Sequence, residues 1–228
     1  MRRLLVGNKL YSSWSLRPWI LMRTLGIPFE ETLVALHRPE SAARIAEWSP
    51  AGRVPVLVDD DVTVWDTLAI TEHLAETTAA PVWPKGREAR ALARSIVAEM
   101  HAGFSRLREA LPMNLGKSFA YRERPEAAAD IARVQELVLD ARRRFGDGGP
   151  FLFGAFTAAD AFYAPVMSRF WTYSVPLEPE VAAYRDAVLA LPAFGEWREA
   201  ALDEPWVLDF DEVEDEPLEV HRRVPVVV

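Results

Sequence analysis

Strand-like and helix-like segments alternate through the first 77 residues of this chain, and beyond residue 85 only helical patterns continue. That division constrains the fold to an α/β unit followed by an all-α one. Residues 3–7 form a short apolar run bounded by turn residues and read as a buried strand. Ser15 is placed to cap a helix running to Leu25, with Gly26 as its stop and Pro28 just beyond. Pro18 falls in the first turn of that helix, where its missing N–H costs little. Residues 29–36 read as a second strand and 39–48 as a short helix. Residues 54–58 and 62–65 make a hairpin across Asp59-Asp60-Asp61, and 68–76 a helix opened by Asp66 and Thr67. The order βαβαββα predicts a mixed sheet covered by helices.

Residues 77–85 hold two prolines among small residues and read as a linker. Residues 86–111 then predict one long helix with an arginine stripe at Arg87, Arg90 and Arg94, either a solvated face or a face toward a partner subunit. Further helices are expected over 125–145, from Thr157-Ala158-Ala159-Asp160 onward, and over 180–191 and 193–201. The division is therefore 1–78 for the α/β domain, 86–205 for the helical domain and 206–228 for a tail. The run Asp209-Phe210-Asp211-Glu212-Val213-Glu214-Asp215-Glu216 makes that tail acidic and predicts it to be solvated.

Composition narrows the chemistry. A formal net charge of −8 argues against a general nucleic-acid binder, which needs a clustered basic face. No apolar run approaches the roughly 20 residues that span a bilayer, and the apolar stretch after Met1-Arg2-Arg3 is too short for a signal peptide. A cytoplasmic protein without membrane contact is the expectation. The chain has no cysteine, which excludes disulfides, thiolate metal sites and thiol–disulfide exchange by the protein itself. His37, His73, His101 and His221 show no ligand-like spacing, so no metal is expected. If the site handles a thiolate, the sulfur comes from the ligand.

Three motifs carry candidate chemistry. Tyr11-Ser12-Ser13-Trp14-Ser15-Leu16-Arg17-Pro18 packs hydroxyls and an arginine into a strand-to-helix turn, where free N–H groups and the helix dipole favour an anion. Read alone, its serines are equally helix caps. In Gly52-Arg53-Val54-Pro55-Val56-Leu57 a proline enters a strand and removes a ladder donor. Either the Val54–Pro55 bond is cis, turning the Val54 backbone toward an extended peptide ligand, or the proline sits in trans on an edge strand. Trp65-Asp66-Thr67-Leu68-Ala69-Ile70 places a carboxylate and a hydroxyl at a helix start. There they suit a ligand's ammonium and carboxylate, or simply cap the helix.

The ordered set of motifs, with Thr157-Ala158-Ala159-Asp160 as a capping box after Phe151-Leu152-Phe153-Gly154, resembles the cytosolic glutathione transferases over roughly residues 3–200. The double serine followed by an arginine is most similar to zeta-like bacterial members, which include maleylacetoacetate isomerases. The pattern departs from theirs at Trp14, where they carry cysteine, and at Arg53, where glutamine is common. The resemblance implies a thioredoxin-like first domain that binds glutathione as co-substrate, an α-helical domain forming the acceptor pocket, and a homodimer. Ser12 or Ser13 would stabilise the glutathione thiolate, and Arg17 would position an acidic substrate. Arg53, Val54 and Pro55 would meet the cysteinyl backbone, and Asp66 and Thr67 the γ-glutamyl end. Trp14, His101 and Trp171, with Phe119, Tyr121 and Tyr173 behind them, are candidates for the acceptor pocket. The implied activity is glutathione transfer to a hydrophobic electrophile. The alternatives are glutathione-dependent cis–trans isomerisation of maleylacetoacetate, or non-catalytic binding.

Overall fold

The computed structural model describes residues 1–225; the last three residues of the tail expected over 206–228 lie outside the described residues. The first domain runs β1 (Arg2–Val6), α1 (Ser13–Thr24), β2 (Glu30–Leu33), α2 (Ser41–Ala46), β3 (Val56–Asp59), β4 (Val62–Trp65) and α3 (Thr67–Thr77). Its sheet has the order β2-β1-β3-β4, with β1 and β2 parallel and both other pairs antiparallel. Leu4, Leu5 and Val6 are buried on both faces of the central strand, as an apolar run without alternation requires. The Val54–Pro55 bond is cis, and β3 starts only after it, at Val56 rather than Val54.

The second domain comprises α4 (Arg87–Ala102), α5 (Ser105–Ala110), β5 (Lys117–Ser118), α6 (Ala128–Phe145), α7 (Ala158–Thr172), α8 (Pro179–Leu189), α9 (Pro192–Leu202) and β6 (Glu219–Val220). The helix expected over 86–111 breaks at Gly103-Phe104, where Phe104 takes a left-handed conformation at φ 55° and α5 sets off in a new direction. The rest of the domain is helical as expected; the short β5 pairs antiparallel with β6, which lies in the tail. α7 forms its axis, buried throughout from Ala158 to Phe170. Thr157 and Asp160 close the expected capping box at its start, and Asp160 also accepts from Leu152 N–H at 3.0 Å. α7 packs across α1, so the two domains share one core. Trp19 on α1 and Trp197 on α9, both fully buried, meet edge to face at 5.1 Å.

Two arginines of the stripe are used within the chain, and Arg87 is exposed. Arg90 donates to the Pro84 and Lys85 carbonyls, and Arg94 pairs with Glu72 while lying over Trp83. These contacts hold the linker down.

The acidic run is a strap and not a solvated tail. Glu212 accepts from Tyr11 Oη at 2.5 Å, Asn114 Nδ2 at 3.1 Å and Lys117 Nζ at 2.6 Å. Asp215 pairs with Arg122 and Arg124, and Leu208 is buried. Basic side chains of the segment after α5 thus neutralise the carboxylates, and strand pairing through β6 fixes the register. Among the described residues no helix is long and apolar enough to cross a membrane.

Candidate functional site

The turn that opens α1 is organised by its hydroxyls. Ser12, not Ser15, is the cap: its side chain accepts from Ser15 N–H at 3.4 Å. The helix begins earlier than expected because Ser15 is drawn inward, fully buried, where its Oγ accepts the Gly7 N–H at the end of β1 at 3.0 Å. Ser12 Oγ donates to Ser15 Oγ at 2.8 Å. Ser13 is buried, and its Oγ accepts from Arg169 Nη2 at 3.4 Å. Tyr11, beside them, also lines the first cavity, but its hydroxyl is already engaged. Its hydroxyl donates to Glu212 and accepts from Arg222 at 2.9 Å, and burial with the Glu212 charge raises its pKa far above that of a free phenol.

Ser12 and Ser13 face a cavity of about 630 Å³ at the domain boundary. Trp14, Leu36, His37, Ile45 and Val54 form its walls, Arg108 and Arg169 enter from the helical domain, and the strap roofs it with Leu208, Phe210 and Asp211. A second cavity of about 590 Å³ adjoins it, lined by Pro55, Asp66, Thr67 and His101. Trp14, Arg53 and Val54 line both. An extended ligand lying along Val54 therefore reaches from the serine turn to the start of α3.

At that far end Asp66 holds φ 74°, a left-handed conformation costing a non-glycine residue about 1 kcal/mol or more. One carboxylate oxygen caps α3, accepting from Leu68 N–H at 2.8 Å and Ala69 N–H at 3.4 Å, and the other lies 3.3 Å from His101 Nε2. Thr67 Oγ1 donates to the Trp14 carbonyl at 3.1 Å, tying the two helix starts together. Chemically, this end offers a carboxylate to a cation and a helix N-terminus to an anion.

Of the expected site residues, Ser12, Ser13, Trp14, Arg53, Val54, Pro55, Asp66, Thr67 and His101 come together around these cavities. Arg17 and Trp171 do not. Arg17 has no exposed surface: it donates to the Ser13 and Phe162 carbonyls and stacks on Trp14 at 4.3 Å, lining neither cavity. One helical turn beyond Ser13, its side chain points into the packing with α7. Trp171 lies at the far end of α7 against His221 and Arg198. Phe119 and Tyr173 stack on each other at 5.2 Å in the helical core, and Tyr121 is exposed. The arginines at the cavity are Arg108 and Arg169, which the sequence reading passed over. The available signal was Arg169 itself, a lone cation in the otherwise uncharged run from Ala161 to Thr172.

Residues 11–77 match the family described as glutathione S-transferase, N-terminal domain. A segment of 92 residues is 36% identical to a probable maleylacetoacetate isomerase of Caenorhabditis elegans, covering 38% of this chain and 43% of that protein. The match thus spans less than half the length of that curated relative. A glutathione transferase homolog from Burkholderia, solved with bound glutathione, superposes with a TM-score of 0.65 at 25% identity, covering 88% of this chain and 97% of that one. Human glutathione S-transferase T1-1 in its apo form gives a TM-score of 0.64 at 22% identity over 88% and 89% of the two chains.

Proposed function

We propose, for a chain whose residues 11–77 match the glutathione S-transferase N-terminal domain and whose fold is that of the glutathione transferases, that it binds glutathione across both cavities and adds its thiolate to an apolar electrophile. The observation that carries this reading is the pair of cavities joined at Val54, with a hydroxyl turn at one end and Asp66 at the other. The γ-glutamyl ammonium pairs with Asp66 and its carboxylate meets the start of α3. The cysteinyl backbone runs along Val54, and the sulfur reaches Ser12 and Ser13.

A free thiol has a pKa near 8.5 and is only a few per cent ionised at neutral pH. Hydroxyl donors and the α1 N-terminus favour the anion, and each pKa unit gained corresponds to about 1.4 kcal/mol. Ser12 supplies such a donor by rotation. Ser15 already accepts from Gly7, so its own proton can take over the Ser12–Ser15 bond and release the Ser12 proton to the sulfur. The thiol proton passes to solvent, and the thiolate forms a C–S bond to the electrophilic carbon. In a substitution the leaving group departs with the electron pair of its broken bond; in an addition to an activated C=C bond the π electrons move to the neighbouring carbon, which takes up a proton from solvent. Catalysis is positional and electrostatic, with no covalent protein intermediate. The test is the ultraviolet thiolate band of glutathione bound to the intact protein. It is expected to titrate well below the free thiol and to return toward it in Ser12→Ala/Ser13→Ala; an unshifted band in the intact protein overturns the reading.

A second reading, isomerisation of a maleyl-type diacid, is favoured by the similarity to the probable maleylacetoacetate isomerase and by Arg108 and Arg169 at the cavity. It expects turnover of maleylacetoacetate that falls sharply in Arg108→Met. Absence of turnover by the intact protein removes it. A homodimer is proposed with it, since β4 leaves Val62 and Trp65 about half exposed at the sheet edge; sedimentation checks this.

A further inference from the structure

Arg169 is one of only two charged residues on α7, and it is 4% exposed. Its guanidinium is held on three sides. Nε donates to the Leu111 carbonyl at 2.8 Å, Nη1 to the Pro165 carbonyl at 3.0 Å, and Nη2 to Ser13 Oγ at 3.4 Å. Two neutral carbonyls and a hydroxyl are its partners.

Arg169 also has company. Arg17 lies on the Trp14 ring at 4.3 Å and Arg108 at 5.2 Å, so three guanidinium groups gather beneath the α1 N-terminus. Among the described residues none of the three makes an ion pair, and Arg17 Nη2 and Arg108 Nη1 are buried without a hydrogen-bond partner. Burying unpaired cations is costly, and the chain does it with Arg17 and Arg169 beside its candidate site. Burial holds Arg169 down to about 10, and burial together with the other two arginines holds Arg17 well below its usual value. The acids facing this cluster are Asp211 on the strap, toward Arg169, and Asp130 and Glu109, toward Arg108.

A serine hydroxyl has one proton and two lone pairs. With Nη2–H occupying a lone pair of Ser13, the Ser13 proton turns away from the guanidinium and into the cavity. The cation also polarises that O–H, which makes it a stronger donor. Because the pair is buried, salt screens it little.

We infer that Arg169 is a positioning residue for the thiolate: it holds the Ser13 hydroxyl with its proton toward the cavity and fixes a cation one hydroxyl away from the sulfur. This inference rests on the glutathione reading above and names a group that sets its acidity. It separates two tasks on one turn, with Ser12 poised through Ser15 and Ser13 poised through Arg169.

The experiment titrates the thiolate band of glutathione bound to the intact protein and to Arg169→Met, Arg169→Lys, Ser13→Ala and the Arg169→Met/Ser13→Ala pair, with calorimetry of glutathione binding at pH 6 alongside. Arg169→Met is expected to raise the bound thiol pKa by about 1 unit, and Arg169→Lys, which keeps the charge, by less than half of that. Affinity at pH 6, where the free thiol is protonated, is expected to stay within about threefold. The double variant is expected to shift the pKa no further than the larger single change, because the two residues act as a unit. An unmoved pKa in Arg169→Met, or additive shifts in the pair, overturns the inference. Should Arg169→Met not fold, Arg169→Lys and Ser13→Ala decide in its place: each must raise the pKa, and their combination must add nothing. Failure of the intact protein to bind glutathione appears separately in the calorimetry and overturns the functional reading itself.

Discussion

The starts of α1 and α3 face the same joined cavities and are built to opposite electrostatic plans. The α1 turn is largely buried, rich in hydroxyls and backed by three arginines that make no ion pair among the described residues. The α3 turn is partly exposed and led by a carboxylate, strained in φ and paired with a histidine. On the proposed function, one end is poised for an anion that must form there and the other for a cation that arrives already charged. That proposal separates the task of activation from the task of grip. Changes at the first should alter reactivity at nearly constant affinity, and changes at the second should do the reverse.

The largest expected effect lies at the first end. Removing both hydroxyls in Ser12→Ala/Ser13→Ala should lower kcat/KM by about 10²–10³, in line with the loss of preorganised donors. Glutathione affinity at pH 6 should hold within about threefold; steady-state kinetics beside calorimetry reads both.

Next comes the support beneath that turn. Glu204 accepts the Lys9 N–H at 2.7 Å and the Leu10 N–H at 3.2 Å, and burial pushes its carboxyl up to about 7 from 4.5. A folded-state pKa above the unfolded one means that the folded chain binds the proton more tightly. This group's contribution to stability is then full below about pH 4.5 and is lost as pH rises through about 7, amounting to up to about 3 kcal/mol. Glu204→Gln, which never ionises, should remove that component of the slope. Urea denaturation at pH 5 and pH 8 checks this, and an unchanged slope would assign the pH dependence elsewhere.

A smaller change is expected at the gripping end. Asp66→Ala should weaken glutathione binding by about tenfold while leaving the bound thiol pKa in place. Asp66→Asn, which keeps a cap for α3, should recover stability and not affinity. A thiol pKa that moved with Asp66 would merge the two ends. The smallest effect belongs to Tyr11→Phe, which removes the bond to Glu212 and should cost about 1 kcal/mol of stability with no change in thiolate titration.

Local signals in the sequence were enough for the βαβαββα order. These depend on turn residues and short-range periodicity, which act within a few positions. The roof of the first cavity was not legible. Asp209 to Glu216 has the composition of a solvated segment, and its partners Tyr11, Asn114, Lys117, Arg122 and Arg124 lie some 90 to 200 positions earlier in the chain. Arg17 was misplaced for a related reason. Helical spacing puts it below Ser13, but only the packing of α7 against α1 decides that this face is interior. The same packing brings Arg169 to Ser13 across 156 residues, a pairing that no local pattern encodes.

The junction at Val54 also bears on how turnover ends. A molecule that fills only one cavity leaves by breaking one set of contacts. A conjugate carries both halves in one covalent frame and is held at two places at once, so each half keeps the other at high local concentration. Its departure needs both to let go, one of them from beneath Phe210 and the latched strap. On the proposed transfer reaction, release of the finished adduct is the step expected to set the pace.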